Sequence, residues 1–252
     1  MRSGHLNNMD KRRNTEKSNE GFSLIESLLS LSLSLIIVLS SLEFFGFTRN
    51  LFFKLKTKQE TMEAALATLD KMRFDLLEAG LGLQQPISLG MLDGIAGSED
   101  TLTIISKEDK FTPLSDLAAG QTSIQLDTTS KLKKGRKVCV FDSTKGEVKS
   151  ISSVDKESIV LSSPLNFSSL KEETSVFLLR EVSLFLDKNK HTLRRKVNTS
   201  PAQPLLEEVG LFDFHHEKAT NLVKLSLSLI TNKEKVYETS VFPKNTALAS
   251  SR

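Results

Sequence analysis

Glu26 is a carboxylate at the fifth position of a membrane-length apolar run that opens at Phe22. A charge at the centre of a membrane helix costs roughly 2.5–3.5 kcal/mol on insertion scales, and an acid in that setting usually has a partner. The chemistry this placement suggests is ion pairing, with Glu26 meeting a positive charge when the protein is at work. Three other groups have suitable residue types. Asp213, His215 and His216 resemble metal ligands, with His191 elsewhere, but adjacent strand residues point to opposite faces and cannot chelate together. Lys131, Lys133, Lys134, Arg136 and Lys137 form the densest basic run. Without interleaved aromatics it reads as a solvated turn rather than a nucleic-acid surface, so DNA is not an expected partner. Cys139 stands in the apolar stretch Val138–Phe141 and reads as a buried, inert thiol. There is no glycine-rich phosphate loop, no His-Glu-x-x-His and no cysteine pair at metal spacing. No nucleophile, base and orienting group can be named together. The expectation is therefore no catalytic residue, no metal, no cofactor and no enzyme.

The elements that position these groups are legible from periodicity. Residues 1–21 are polar and lack an apolar period, so they read as a leader outside the mature fold. From Phe22 to Phe47 the chain is apolar, with Glu26 and Glu43 as its charges. At 1.5 Å per residue that stretch of about 26 residues covers roughly 39 Å, enough to span a tilted path through a bilayer. Nothing like Ala-x-Ala follows it, unlike an ordinary secretory signal. Lys11, Arg12, Arg13 and Lys17 precede the span, and Arg49, Lys54, Lys56 and Lys58 follow it, so charge bias does not set the orientation. Ser23, Ser27, Ser30, Ser34 and Ser41 recur at three, four and seven residues and share one helical stripe. Small residues at that spacing let helices pack closely in lipid. The alternative is that each hydroxyl bonds its own i−4 carbonyl.

Beyond the span, Met62, Leu66, Leu69, Met72, Arg73 and Leu76 recur at helical spacing, with Ala65 and Ala79 extending the face. One helix is predicted from Phe22 to about Ala79, and Gly80 and Gly82 supply its stop. Residues 81–100 read as a connecting loop. From 101 to 252 short runs rich in Val, Ile, Thr and Phe alternate with turn residues, an antiparallel strand pattern. It is clearest where Val223, Leu225, Leu227 and Leu229 alternate with Lys224, Ser226 and Ser228. The fold class expected is α+β, a long N-terminal helix packed on an antiparallel sheet domain. The single cysteine permits no intrachain disulfide, and a net charge of +3 is too weak to imply a nucleic-acid partner.

Glu20-Gly21-Phe22-Ser23-Leu24-Ile25-Glu26 resembles the processing signal of type IV prepilins. The resemblance implies cleavage between Gly21 and Phe22 by a prepilin peptidase, followed by N-methylation of Phe22. It implies that Glu26 neutralises the freed terminal amine of a neighbouring subunit. It places the N-terminus in the cytoplasm, with a single pass through the cytoplasmic (inner) membrane and later residence in an extracytoplasmic filament. Ala65 to Gly80 resembles the Leu-x-x-Asp-Leu-x-x-Ala-Gly pattern of PilW-type minor pilins and of the related J-type minor pseudopilins of type II secretion. Asp75, Leu76, Ala79 and Gly80 stand at the matching places. Further similarity lies in Ala119–Thr122, Lys134–Val138, Leu193–Arg195 and Pro204–Val209. The implied fold is type IV pilin-like, and the implied role is a low-copy subunit that helps initiate, assemble or cap a filament. Its implied partners are the major pilin and other minor pilins or pseudopilins. The alternatives are a type II secretion minor pseudopilin, and a membrane-anchored tip adhesin or DNA-binding subunit.

Overall fold

The computed structural model describes residues 23–98 and 100–250. The expected leader, together with Gly21 and Phe22, lies outside the described residues. The architecture is α+β: one long N-terminal apolar helix and antiparallel β-sheets. The elements in chain order are α1 (Leu24–Leu77), α2 (Gln84–Ser88), β1 (Ile95–Ser98), β2 (Thr101–Phe111), β3 (Ser123–Gln125), β4 (Lys137–Phe141), β5 (Gly146–Val154) and β6 (Ser158–Leu161). There follow β7 (Ser175–Asp187), β8 (Thr192–Val197), β9 (Gln203–Leu206), β10 (Val209–Glu217), β11 (Leu222–Leu229), β12 (Asn232–Val241) and α3 (Lys244–Ser250). The chain divides into two compact units, one through Lys58 and one from Gln59.

Helix α1 passes through Gly46 without a break. No proline interrupts it, and one interior glycine costs only about 1 kcal/mol relative to alanine. It ends where Gly80 and Gly82 adopt φ of 71° and 72°, a backbone region open to glycine at little cost. Gly80 N then donates to Ile105 O at 2.8 Å, tying the helix exit to β2.

In the second unit β7 is the spine of the larger sheet, whose order is β1-β2-β7-β4-β5-β6-β3. One side of β7 pairs with β2 from Thr101↔Phe185 to Phe111↔Val176. Its other side is shared. β4 takes residues 175–178 and β8 takes residues 182–187. β8 in turn pairs with β9. A three-stranded sheet, β10-β11-β12, completes the fold among the described residues.

The alternation of strand side chains divides the sheet into two faces, and position along β7 divides one of those faces into two cores. Val182 and Leu184 of β7 join α1, β2 and β11 in the first, while Val176 and Leu178 join β3 to β6 in the second. Phe177 packs with Leu179, Cys139 and Phe141 in the third, on the opposite face of the sheet. Val223, Leu225, Leu227 and Leu229 are buried as their alternation predicts. β2 serves both larger cores because its register shifts between Lys107 and Asp109. Leu102 and Ile104 face the first core before the bulge, and Phe111 faces the second after it. The extra residue swaps the strand's parity, so odd-numbered Phe111 keeps the sheet face that even-numbered Leu102 and Ile104 hold.

The buried face of α1 differs from the expected stripe. Met72, Leu69, Leu76, Ala65 and Ala79 are buried and Met62 packs against them, but Leu66 and Arg73 are exposed. Thr68 and Asp75 take the inward places instead. Both are hydrogen-bonded there, which removes the usual penalty for burying a polar group. Segment 81–100, expected as a loop, contains α2 and β1. β9 and α3 were also not anticipated: β9 includes Pro204 and pairs on one side with β8, as an edge strand with proline can, and α3 spans only 7 residues.

Candidate functional site

The first unit presents its apolar residues to its surroundings on every side. Leu24, Leu31, Ile37, Leu42, Phe45 and Phe52 are all more than half exposed. A helix apolar all round has no amphipathic solution in water and needs an apolar environment. Its length and composition suffice to cross a membrane.

Ser23 precedes the first helical residue, and its carbonyl accepts from Glu26 N at 2.9 Å and Ser27 N at 3.1 Å. Glu26 therefore occupies the first turn, where the helix dipole favours a carboxylate by about 0.3–1 kcal/mol. That is smaller than the cost of a charge at mid-membrane, so depth matters. Between Glu26 and Glu43 lie sixteen uncharged residues, about 24 Å of helix. This is short of the roughly 30 Å hydrocarbon layer. A spanning segment must therefore hold at least one of the two carboxylates within the hydrocarbon layer.

Of the serine stripe, Ser41 Oγ donates to Ile37 O at 2.7 Å, inside its own helix. Ser32, on a different line, does the same to Leu28 O at 2.8 Å. Ser23, Ser27, Ser30 and Ser34 are exposed.

In the second unit the basic run is largely engaged. Lys131 pairs with Asp109 at 2.8 Å, Arg136 with Glu108 at 2.6 Å and Lys137 with Glu181 at 2.9 Å. Glu108 stands at the β2 bulge, so the register shift aims its carboxylate at Arg136. Lys133 and Lys134 are exposed. Phosphate neutralisation needs several free cations, and three of these five already meet carboxylates. His215 is exposed, whereas His216 is half-buried with Nε2 3.2 Å from Asn221 Oδ1. They alternate on β10 as expected, and among the described residues no cluster of three His, Cys, Asp or Glu could hold a metal. Cys139 is fully buried, and burial pushes its thiol up to about 12.

The polar cluster that residue patterning missed joins α1 to the sheet. Asp75 accepts from Arg195 Nε at 2.7 Å and Nη2 at 2.8 Å, with Arg180 Nη2 3.8 Å away. Arg180 also meets Glu78. The Asp75 carboxylate holds the Arg195 guanidinium above its usual range. Asp75 stood out through its resemblance pattern alone. Its inward turn depends on an arginine 120 residues away.

No family model matches the chain, and no curated protein matches it. Among solved structures, a match was found to Gp54 tailspike of Acinetobacter baumannii bacteriophage AP22, in complex with A. baumannii capsular saccharide. It has 15% identity and a TM-score of 0.28, over 31% of this chain and 15% of the tailspike chain. A similarity that low carries no argument about fold or function.

Proposed function

We propose that this chain is a minor subunit of a type IV pilus-like filament, processed between Gly21 and Phe22 and anchored in the cytoplasmic membrane before assembly. The observation that carries the reading is the exposed, all-round apolar helix that opens within three residues of that junction and places Glu26 in its first turn. An apolar helix of this kind can exchange lipid for the interior of a helical filament without exposing itself to water. Glu26, which the helix dipole alone does not offset, pairs with the freed amine of Phe22 on a neighbouring subunit. The serines at 23, 27, 30 and 34 permit close helix approach. The strand-rich unit lies outside the cytoplasm and sets the subunit's place among its partners. The role is structural: initiating, assembling or capping the filament.

The test is expression of the full chain in a bacterium that carries a prepilin peptidase and assembles a type IV filament from a major pilin, followed by mass measurement of the N-terminus and of sheared filaments. The expected product begins at methylated Phe22. Gly21→Val blocks the cut, whereas Glu26→Gln leaves it intact and depletes the chain from the filament fraction. An uncut chain, or Glu26→Gln found in filaments at the native level, overturns the proposal.

A further inference from the structure

Past its apolar run, α1 changes character without becoming amphipathic. Between Glu43 and Glu60 there is no acid, and Arg49, Lys54, Lys56 and Lys58 supply four bases. Leu51, Phe52, Phe53 and Leu55 stand among them and are exposed. Arg49, Lys54 and Lys58 are exposed as well, and the Arg49 guanidinium lies 5.6 Å from the centre of the Phe53 ring. Lys56 is already engaged, which leaves three bases to weigh.

Their placement round the helix is informative. At 3.6 residues per turn, Lys54 and Lys58 stand about 140° and 180° from Arg49. Leu51, Leu55 and Phe52 occupy the remaining arc, and Phe53 lies near the Arg49 line. No side of this stretch is wholly basic and none is wholly apolar. A protein partner covers one face of a helix, so it would take part of each set and leave the rest in water. A medium that surrounds the helix and offers apolar matter together with anions satisfies both sets.

Height along the helix agrees. A hydrocarbon layer of about 30 Å takes up about 20 residues of untilted helix. Counted from Phe22 or from Glu26, it ends at about residue 42 or 46. Arg49 comes about one to two turns beyond that limit, where the headgroup zone begins, and Arg49 to Lys58 covers roughly 14 Å of axis. The zone is about 5–8 Å deep on each side of a bilayer, a mismatch that the long stems of Lys and Arg bridge while their charged heads stay with phosphate.

We infer that the stretch from Arg49 to Lys58 is a collar for anionic phospholipid, holding the headgroups that surround the helix where it leaves the hydrocarbon. A base beside an anionic lipid surface is worth about fivefold in association. The interleaved Leu and Phe side chains enter the acyl boundary instead of water. The inference rests on the membrane anchoring in the reading above. It needs neither the cut after Gly21, nor the pairing of Glu26, nor a given orientation of the span.

The experiment places the full chain in phosphatidylcholine vesicles with a trace of chain-spin-labelled phosphatidylglycerol or phosphatidylcholine. The fraction of each probe immobilised beside the protein gives its preference. Expected is an about fivefold preference for phosphatidylglycerol at low ionic strength, smaller in high salt. The leader also carries bases, so variants separate the two. Arg49→Gln, and separately Lys54→Gln with Lys58→Gln, each lower the preference by about twofold, because lipid lies on both sides of the helix. A preference unchanged in both variants assigns the bases to an acidic protein face and overturns the inference. So does a loss confined to one side of the helix. A chain washed from the vesicles at alkaline pH overturns both this inference and the membrane anchor of the filament reading. The vesicles hold no peptidase and no major pilin, so a failure of cleavage or assembly does not reach this result.

Discussion

Asp75 on α1 and Arg195 on β8 meet through two parallel hydrogen bonds of 2.7 and 2.8 Å, across 120 residues of chain. The aspartate side chain is 3% exposed and the arginine 14%. Within the second unit the pair ties the last turns of α1 to β8, because a two-point contact narrows the geometry. Leu66 and Arg73 lie on the exposed face of the same segment.

Removing Asp75 leaves Arg195 without its carboxylate, and removing Arg195 leaves the buried Asp75 with only the longer 3.8 Å contact to Arg180. Asp75→Leu is expected to destabilise the fold by about 3–5 kcal/mol, and Arg195→Met by less, because Arg180 still faces Asp75. The double change Asp75→Leu with Arg195→Met is expected to lie well above both singles, since paired apolar groups leave nothing uncompensated. Thermal unfolding of the four proteins in detergent checks this. A double variant as unstable as the sum of the singles would show that the contact is not a coupled pair.

Gly94 is packed too closely for any side chain. A Cβ there would lie 2.9 Å from Gly80 N and would press on the Thr246 side chain of α3. Gly94→Ala is expected to cost about 1–3 kcal/mol through overpacking. Because backbone stands on one side, trimming Thr246 to Ser restores only part of it. The measurement is the urea midpoint of Gly94→Ala with and without the second change.

The Asp142 carboxyl is raised by burial, but donors from Thr144 and Lys145 outweigh this and hold it below the ordinary carboxylate range. A depressed carboxylate contributes stability that is fully present above its unfolded pKa of about 3.9 and is lost as pH falls through the folded value. Wild type should therefore lose stability below about pH 4–5, and Asp142→Asn should show a shallower acid limb from a lower plateau. Unfolding midpoints between pH 7 and pH 3 test the slope.

Cys139 should resist alkylation in the native state. Its thiol is fully buried and its pKa is pushed up to about 12, so the reactive thiolate is scarce at pH 8. Iodoacetamide is expected to label it at the rate of opening, and promptly in urea. Prompt labelling of the folded chain would place the thiol at the surface.

Helix and strand patterning was legible where one period dominates. The run after Phe22, the stop at Gly80 and the alternation in β11 follow from local spacing. β1 and β9 escaped because Gly97 and Pro204 carry breaker signals, which pairing at a sheet edge overrides. The Glu108 bulge was likewise invisible, since a register shift exists only relative to a partner strand.

Composition and spacing alone settle that this chain carries a helix too apolar for water and a domain of alternating strands without a disulfide. Those are local properties, set by which side chains recur at 3.6 or 2 residues. That β4 and β8 stop short of one another along β7 was decided by the tertiary structure. So was the inward turn of Asp75. Each depends on residues distant in the chain arriving at one place, and no local periodicity encodes which charge will be waiting there.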